Sequence, residues 1–190
     1  MLVFWRQIAL LPFGGGCELV ATTGSAYLSS FQMGCSGWAA PSGQPLQYSL
    51  QFNYHQVPAA FSYSTADSIV VAPMSSLLTQ SVPLPYGDLI VTALVTDSAT
   101  GATANVRQEV HVSPPTGDNG QPMTDAQMAA LLETKLIPAA AQAGNTTDVL
   151  LYVQYLADLH RANPSLVSSS DPAQLLQTVS QSVHDGGGAQ

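Results

Sequence analysis

Apolar and polar residues alternate along much of the first 113 positions of the chain. The clearest example is residues 46–54, where every second residue is apolar and the others are glutamine, serine or asparagine. A period of two is the pattern of a β-strand that buries one face. Residues 89–96 are apolar on both faces, which is typical of a strand in the middle of a sheet. In all, the pattern predicts strands at residues 19–22, 27–33, 46–54, 61–64, 68–72, 79–84, 89–96 and 102–112.

The number and spacing of these strands predict a fold class. About seven short strands with turn residues between them are typical of a β-sandwich of the immunoglobulin or fibronectin type III kind. We therefore predict a mainly β protein, with a short all-α segment of about three helices after the sandwich. Tyr48 lies on the apolar face of its strand, and we expect it in the core together with Trp38 and Leu84.

The helical segment is recognised by a change of period. Thr124 and Gln127 form a capping box that begins a first helix, and Pro138 is expected to end or kink it. The apolar stripe of that helix contains Met128 and Leu132. Two more helices are predicted, one capped by Thr146 or Thr147 and one beginning at Ser170.

These patterns divide the chain into four parts. Residues 1–16 are predicted to be an N-terminal strand remnant or linker, and residues 17–113 the sandwich. Residues 114–123 are rich in proline and glycine and are predicted to be a linker. Residues 124–190 form the helical segment.

The low charge of the chain excludes some functions. Charged residues make up 8% of the 190 residues, against about 25% in typical domains. The cations are scattered, so no basic surface for phosphate is expected, and nucleic-acid binding is excluded. Anionic membrane surfaces are disfavoured for the same reason, and no segment is suited to membrane insertion. The four cations are Arg6, Arg107, Lys135 and Arg161.

Cys17 and Cys35 are the only cysteines. An even pair in a chain that is poor in lysine and rich in serine and threonine favours a disulfide and an oxidising compartment. Two buried free thiols in a cytosolic protein are the alternative that spacing alone leaves open. A bridge would close a loop of roughly 18 residues and contribute about 3 kcal/mol in the chain-entropy model.

No catalytic, metal or cofactor site is predicted. The four histidines (His55, His111, His160 and His184) have no metal-ligand spacing. Asp67, Asp88 and Asp97 lie at predicted strand ends, where calcium binding and turn capping are both possible roles, and their isolation favours turn capping.

Two further residues have alternative roles. Asn145 begins the tripeptide Asn145-Thr146-Thr147, which has the form of an N-glycosylation acceptor. Trp38 is expected to anchor the core, with an exposed ligand platform as the alternative.

Several motifs, in order, resemble the receptor-for-egg-jelly (REJ) module of the polycystin family. They are Cys17…Cys35-Ser36-Gly37-Trp38, Pro45-Leu46-Gln47-Tyr48, Leu84-Pro85-Tyr86-Gly87 and Val95-Thr96-Asp97…Gly101-Ala102. The helical tail resembles the segment that leads towards a GAIN-type region. The chain departs from many fibronectin sandwiches at Ile90, where those place a corner tyrosine.

The resemblance implies a non-enzymatic extracellular module of a large membrane protein that acts in cell-surface recognition or in ciliary or channel-associated sensing. Its expected partners are neighbouring domains of the parent protein, with glycans or another ectodomain as further candidates. The expected location is the extracellular face of a membrane or the secreted fraction. The bridge would join the first strand to the end of the second, with Trp38 beside it.

The sequence leaves two other hypotheses about function open. One is a free-standing secreted carbohydrate-binding sandwich, which a coplanar exposed row of Trp38, Tyr63 or Tyr86 would favour. The other is an enzyme, which would need a cleft that joins His55 or His111 to a carboxylate.

Overall fold

The computed structural model of the protein describes residues 10–56 and 68–166. The strand predicted at residues 61–64 and the helix predicted from Ser170 lie outside the described residues, as do Tyr63, Asp67 and His184. The described strands are β1 (Gly16–Leu19), β2 (Thr23–Ser25), β3 (Ser30–Ser36), β4 (Leu46–Gln56), β5 (Ile69–Ser75), β6 (Thr79–Pro83), β7 (Gly87–Asp97) and β8 (Thr103–Ser113). The helices are α1 (Asp125–Leu131), a π-helical turn (Leu132–Leu136), α2 (Ile137–Gln142) and α3 (Thr146–Ala162).

The strands form two sheets, which confirms the predicted sandwich. One sheet has the order β1-β3-β6 and the other the order β2-β8-β7-β4-β5. The first two strands divide the chain's N-terminal part between the sheets, because β1 pairs antiparallel with β3 while β2 pairs parallel with β8. The remaining pairs are antiparallel.

The alternation of β4 sets which face of the five-stranded sheet is buried. Tyr48, Leu50, Phe52 and Tyr54 all point into the core, as their period of two predicts. The neighbouring strand β7 lies at the centre of its sheet, between β8 and β4. That position explains why its residues are apolar on both faces.

The strand predicted at residues 27–33 is displaced, because β3 begins only at Ser30. Tyr27 lies in a turn with a φ of 62°, a left-handed conformation that is uncommon for residues other than glycine. Its amide donates a hydrogen bond to the Leu84 carbonyl at 3.0 Å, and the amide of Ala26 donates to the Ser113 carbonyl at 2.8 Å. These long-range bonds hold the turn in place, and period-two alternation gives no sign of them.

The first helix continues past the position where Pro138 was expected to end or kink it. Proline cannot donate the main-chain hydrogen bond of a helix, and its ring crowds the preceding turn. The π-helical turn Leu132–Leu136 lies just before it, and α2 follows with Pro138 in its first turn. The capping box of Thr124 and Gln127 is present at the start of α1, as predicted.

The helices and the sandwich share one hydrophobic core. Tyr155 of α3 is 2% exposed, and its hydroxyl donates to the Pro83 carbonyl at 3.2 Å. Its ring lies 5.5 Å from that of Tyr27 and 6.4 Å from that of Phe52, centroid to centroid. The hydroxyl of Tyr152 donates to the Tyr27 carbonyl at 3.4 Å. Helix α3 therefore covers the sandwich and is not a separate appendage.

Tyr155→Phe should lower the free energy of unfolding by about 1–2 kcal/mol, because the buried Pro83 carbonyl loses its donor. Tyr155→Ala should lower it by about 3–5 kcal/mol, because it also leaves a cavity. Leu150→Ala is the control on the same helix, since Leu150 is 58% exposed. Urea unfolding measures all three, and equal midpoints for Tyr155→Ala and Leu150→Ala would show that α3 does not close the core.

Candidate functional site

The two cysteines form a disulfide between directly opposed residues of β1 and β3. Cys17 pairs with Cys35 in the strand register, their Cα atoms lie 4.0 Å apart, and both side chains are buried. The bridge therefore joins the first strand to the end of β3 within one sheet, as predicted. The alternative of two free thiols is excluded, because neither cysteine is free.

Trp38 lies at the edge of the core beside the bridged strands. It is half-buried and packs against the hydrophobic cluster, and its indole Nε1 donates to the Gly16 carbonyl at 3.2 Å. A Cβ atom on Gly15 would lie only 2.4 Å from the indole Cγ atom, so this glycine lets the ring approach the main chain. Tyr48 and Leu84, the other residues expected in the core, are buried.

Asp97, one of the acidic residues at predicted strand ends, is held by hydrogen bonds from neighbouring residues. Asp97 is buried and accepts hydrogen bonds from the Ser42 hydroxyl at 2.7 Å and from the Ala99 amide at 2.9 Å. The Ser42 hydroxyl is the main reason why the pKa of Asp97 is lowered.

Within residues 10–56 and 68–166, no group of three or more histidine, cysteine or acidic residues is placed to hold a metal ion.

A polar cleft lies at one end of the outer face of the five-stranded sheet. It has a volume of about 320 Å³. Nδ1 of His111 lies 2.6 Å from Oδ1 of Asp88 across β7 and β8. This is the kind of cleft that the enzyme hypothesis needs. The cleft is lined by Thr22, Thr23, His55, Asp88, Leu89, Glu109, Val110 and His111.

The exposure of the His111–Asp88 pair indicates what it can do. The two side chains are 62% and 56% exposed, so water screens the charge between them. Catalytic groups gain most where the site excludes water. The geometry therefore fits a cross-strand pair that stabilises the pairing of β7 with β8 better than a catalytic dyad.

A second polar group lies buried between the helices, and sequence reasoning missed it. Glu133, in the π-helical turn, is 7% exposed, and its Oε1 atom lies 3.5 Å from Nε2 of His160. The sequence indicated only that His160 has no metal-ligand spacing, because its buried partner is distant along the chain. A charged residue in the apolar half of a helix is the one signal that could have suggested it.

Asp158 is the other buried carboxylate of this interface. It is 4% exposed, and Nε2 of Gln154 donates to both of its oxygens, at 3.0 and 3.1 Å. Arg161 donates to it at 3.3 Å. Burial raises the pKa of Asp158 to about 6, although Arg161 acts in the opposite direction. The Asp158 carboxyl group therefore gains or loses its proton at mildly acidic pH.

An apolar groove surface lies between the edge strand β5 and helix α3, and we define it by Val70, Pro73, Leu77 and Leu150. A groove of about 520 Å³ contains Val70, Pro73 and Leu150. A neighbouring groove of about 260 Å³ contains Pro73, Leu77 and the acceptor residue Asn145. Exposed apolar side chains that lie together in this way often mark a contact site.

Asp158 predicts how stability depends on pH. Its folded pKa of about 6 exceeds the unfolded value of about 4, so folding favours the protonated form. The stabilisation is complete below the unfolded value and is lost as the pH rises through 6. The free energy of unfolding should therefore be about 1 kcal/mol higher at pH 5 than at pH 7.

Asp158→Asn is the test of this dependence. Urea unfolding at pH 5 and pH 7 should show that the variant loses the part of the rise that belongs to Asp158. The part that belongs to Asp148 remains, since burial raises its pKa as well. An unchanged rise in the variant would refute the assignment.

Comparison with known proteins assigns the family. A sequence model of the REJ domain matches residues 5–154, a span that takes in the sandwich, α1, α2 and the first part of α3. A search of curated proteins found no match. Among the described residues, no helix is long and apolar enough to cross a membrane. REJ domains are extracellular modules of polycystin-like proteins, and this chain belongs to the REJ domain family.

Proposed function

We propose that the chain is a non-enzymatic spacer and interaction module in the extracellular part of a polycystin-like membrane protein, in cell-surface recognition or ciliary sensing. The observation that supports this most is the buried Cys17–Cys35 bridge inside a REJ domain. Structural disulfides persist in oxidising compartments such as the cell exterior.

The position of the bridge suits a spacer that bears tension. Strand β1 is four residues long and lies at the edge of the three-stranded sheet. A short edge strand with one partner is the element that a pull on the N-terminal side would detach first. The covalent link from Cys17 to Cys35 transfers such a pull to β3, which is paired on both sides.

The C-terminal side of the described chain is held by packing. Tyr152 and Tyr155 fix α3 against the sandwich through hydroxyl bonds to main-chain carbonyls. The Tyr155 ring is buried between Tyr27 and Phe52. A pull on α3 must therefore break the common core, so both sides of the module resist extension together.

The outer face of the five-stranded sheet suits an interaction surface of low charge. Strand β4 presents amide side chains outward, because the alternating apolar residues point into the core. These groups can recognise a neighbouring ectodomain or a glycan through hydrogen bonds and shape. They are Gln47, Gln51 and Asn53, which are half-buried, whereas Ser49 on the same face is buried.

Single-molecule stretching of the full chain between two handles tests the spacer role. With the bridge intact, the contour length released on unfolding should be about 60 Å shorter than after reduction, because the 18-residue separation of Cys17 and Cys35 spans roughly 3.6 Å per residue. The free energy of unfolding should fall by about 3 kcal/mol on reduction.

The Cys17→Ser/Cys35→Ser variant is the control. It should behave like the reduced protein, and reducing agent should have no further effect on it. If the oxidised protein and the variant yield at the same force, the bridge does not protect the module and the tension-bearing role is refuted.

A further inference from the structure

The sequence contains a single acceptor tripeptide for N-glycosylation. Asn145-Thr146-Thr147 has the required form, whereas Asn163 is followed by Pro164 and is excluded. All three residues of the acceptor are exposed at the start of α3, where Asn145 is the N-cap and the two threonines lie in the first turn. A glycan at this position can therefore be accommodated by the folded domain.

The hydrogen bonds of Asn145 are compatible with the modification. Its Oδ1 atom accepts from the Asp148 amide at 3.2 Å and caps helix α3. Its Nδ2 atom donates to the Asp148 carboxylate at 2.8 Å. Since a glycan replaces only one of the two Nδ2 hydrogens, the oxygen and one N–H remain to keep the helix cap.

Asn145 lines the smaller of the two grooves, so the first sugars of a glycan can pack against the apolar groove surface. The smaller groove is lined by Asn145, Pro73 and Leu77, and both grooves share Pro73 and Thr147. Leu77 is 65% exposed. The C–H face of a sugar ring loses bound water when it packs against such side chains. The sugar hydroxyls can form hydrogen bonds with the polar rim at Thr79 and Ser81.

We propose that Asn145 bears an N-linked glycan whose first sugars lie in this groove and cover Pro73 and Leu77. The proposal rests on the extracellular location proposed above. The Asn145 amide nitrogen forms a bond to C1 of an oligosaccharide carried on a lipid diphosphate. The bond from C1 to the phosphate oxygen breaks, the lipid diphosphate leaves, and the amide proton passes to a base of the cell's transferase.

The test uses the full chain, secreted from eukaryotic cells behind a signal sequence. Peptide mapping before and after enzymatic removal of N-glycans should locate one glycan, at Asn145. Thr147→Ala should lose it completely, because the acceptor needs a hydroxyl residue two positions after the asparagine. Thr146→Ala is the matched control, since it removes an adjacent exposed threonine and leaves both the acceptor and the Asn145 cap intact.

A second measurement tests where the glycan lies. Thr147→Ala should bind more of an apolar fluorescent dye than Thr146→Ala, and Leu77→Ser in the Thr147→Ala background should remove the difference. Equal dye binding by the two threonine variants would overturn the groove placement.

The state of the cysteines in the same preparation separates the two proposals. An unmodified Asn145 in protein whose Cys17–Cys35 bridge has formed overturns the glycan alone. Free thiols at both cysteines count against the extracellular location, and with an unmodified Asn145 they overturn both proposals.

Discussion

The structure depends on one packing constraint, the closure of the sandwich by helix α3. The tyrosine ring at position 155 is buried against Tyr27 and Phe52, so the two sheets and the helices exclude water together. Burial of one aromatic side chain of this kind is worth roughly 3 kcal/mol. The left-handed turn at Tyr27 costs some of that energy. It persists because its amides donate to carbonyls of β8 and Leu84 and its carbonyl accepts from the Tyr152 hydroxyl. The family match ends at residue 154, so it includes the first half of α3 (Thr146–Ala162).

The disulfide and the shared core stabilise different parts of the module. The bridge protects the short first strand, which has little packing of its own, and the tyrosines hold the last described helix. Neither needs charge, which fits a chain with 8% charged residues. Two buried carboxylates, those of Glu133 and Asp158, lie at the helix interface, and titration of Asp158 makes stability depend on pH near 6. The grooves beside β5 leave apolar surface that residues 10–56 and 68–166 do not cover.

Sequence patterns predicted those features that depend on local chemistry. Features that follow from a local residue pattern could be predicted: the alternation of β4, the central position of β7, the capping box at Thr124 and the cysteine pair. Features that join residues from distant parts of the chain could not be predicted: the turn at Tyr27, the Glu133–His160 contact and the groove beside Asn145. The cleft of His55 and His111 shows the same limit, because the two histidines could be identified in the sequence but only the structure places them in one cleft with Asp88 and Glu109.

Calorimetry of the oxidised full chain tests most directly whether the sandwich and helices form one unit. We expect a single unfolding transition whose calorimetric and van't Hoff enthalpies agree, and Tyr155→Ala should shift that whole transition to lower temperature. Two separate transitions, with only the smaller one moved by Tyr155→Ala, would contradict it, because the helices would then unfold independently of the sandwich.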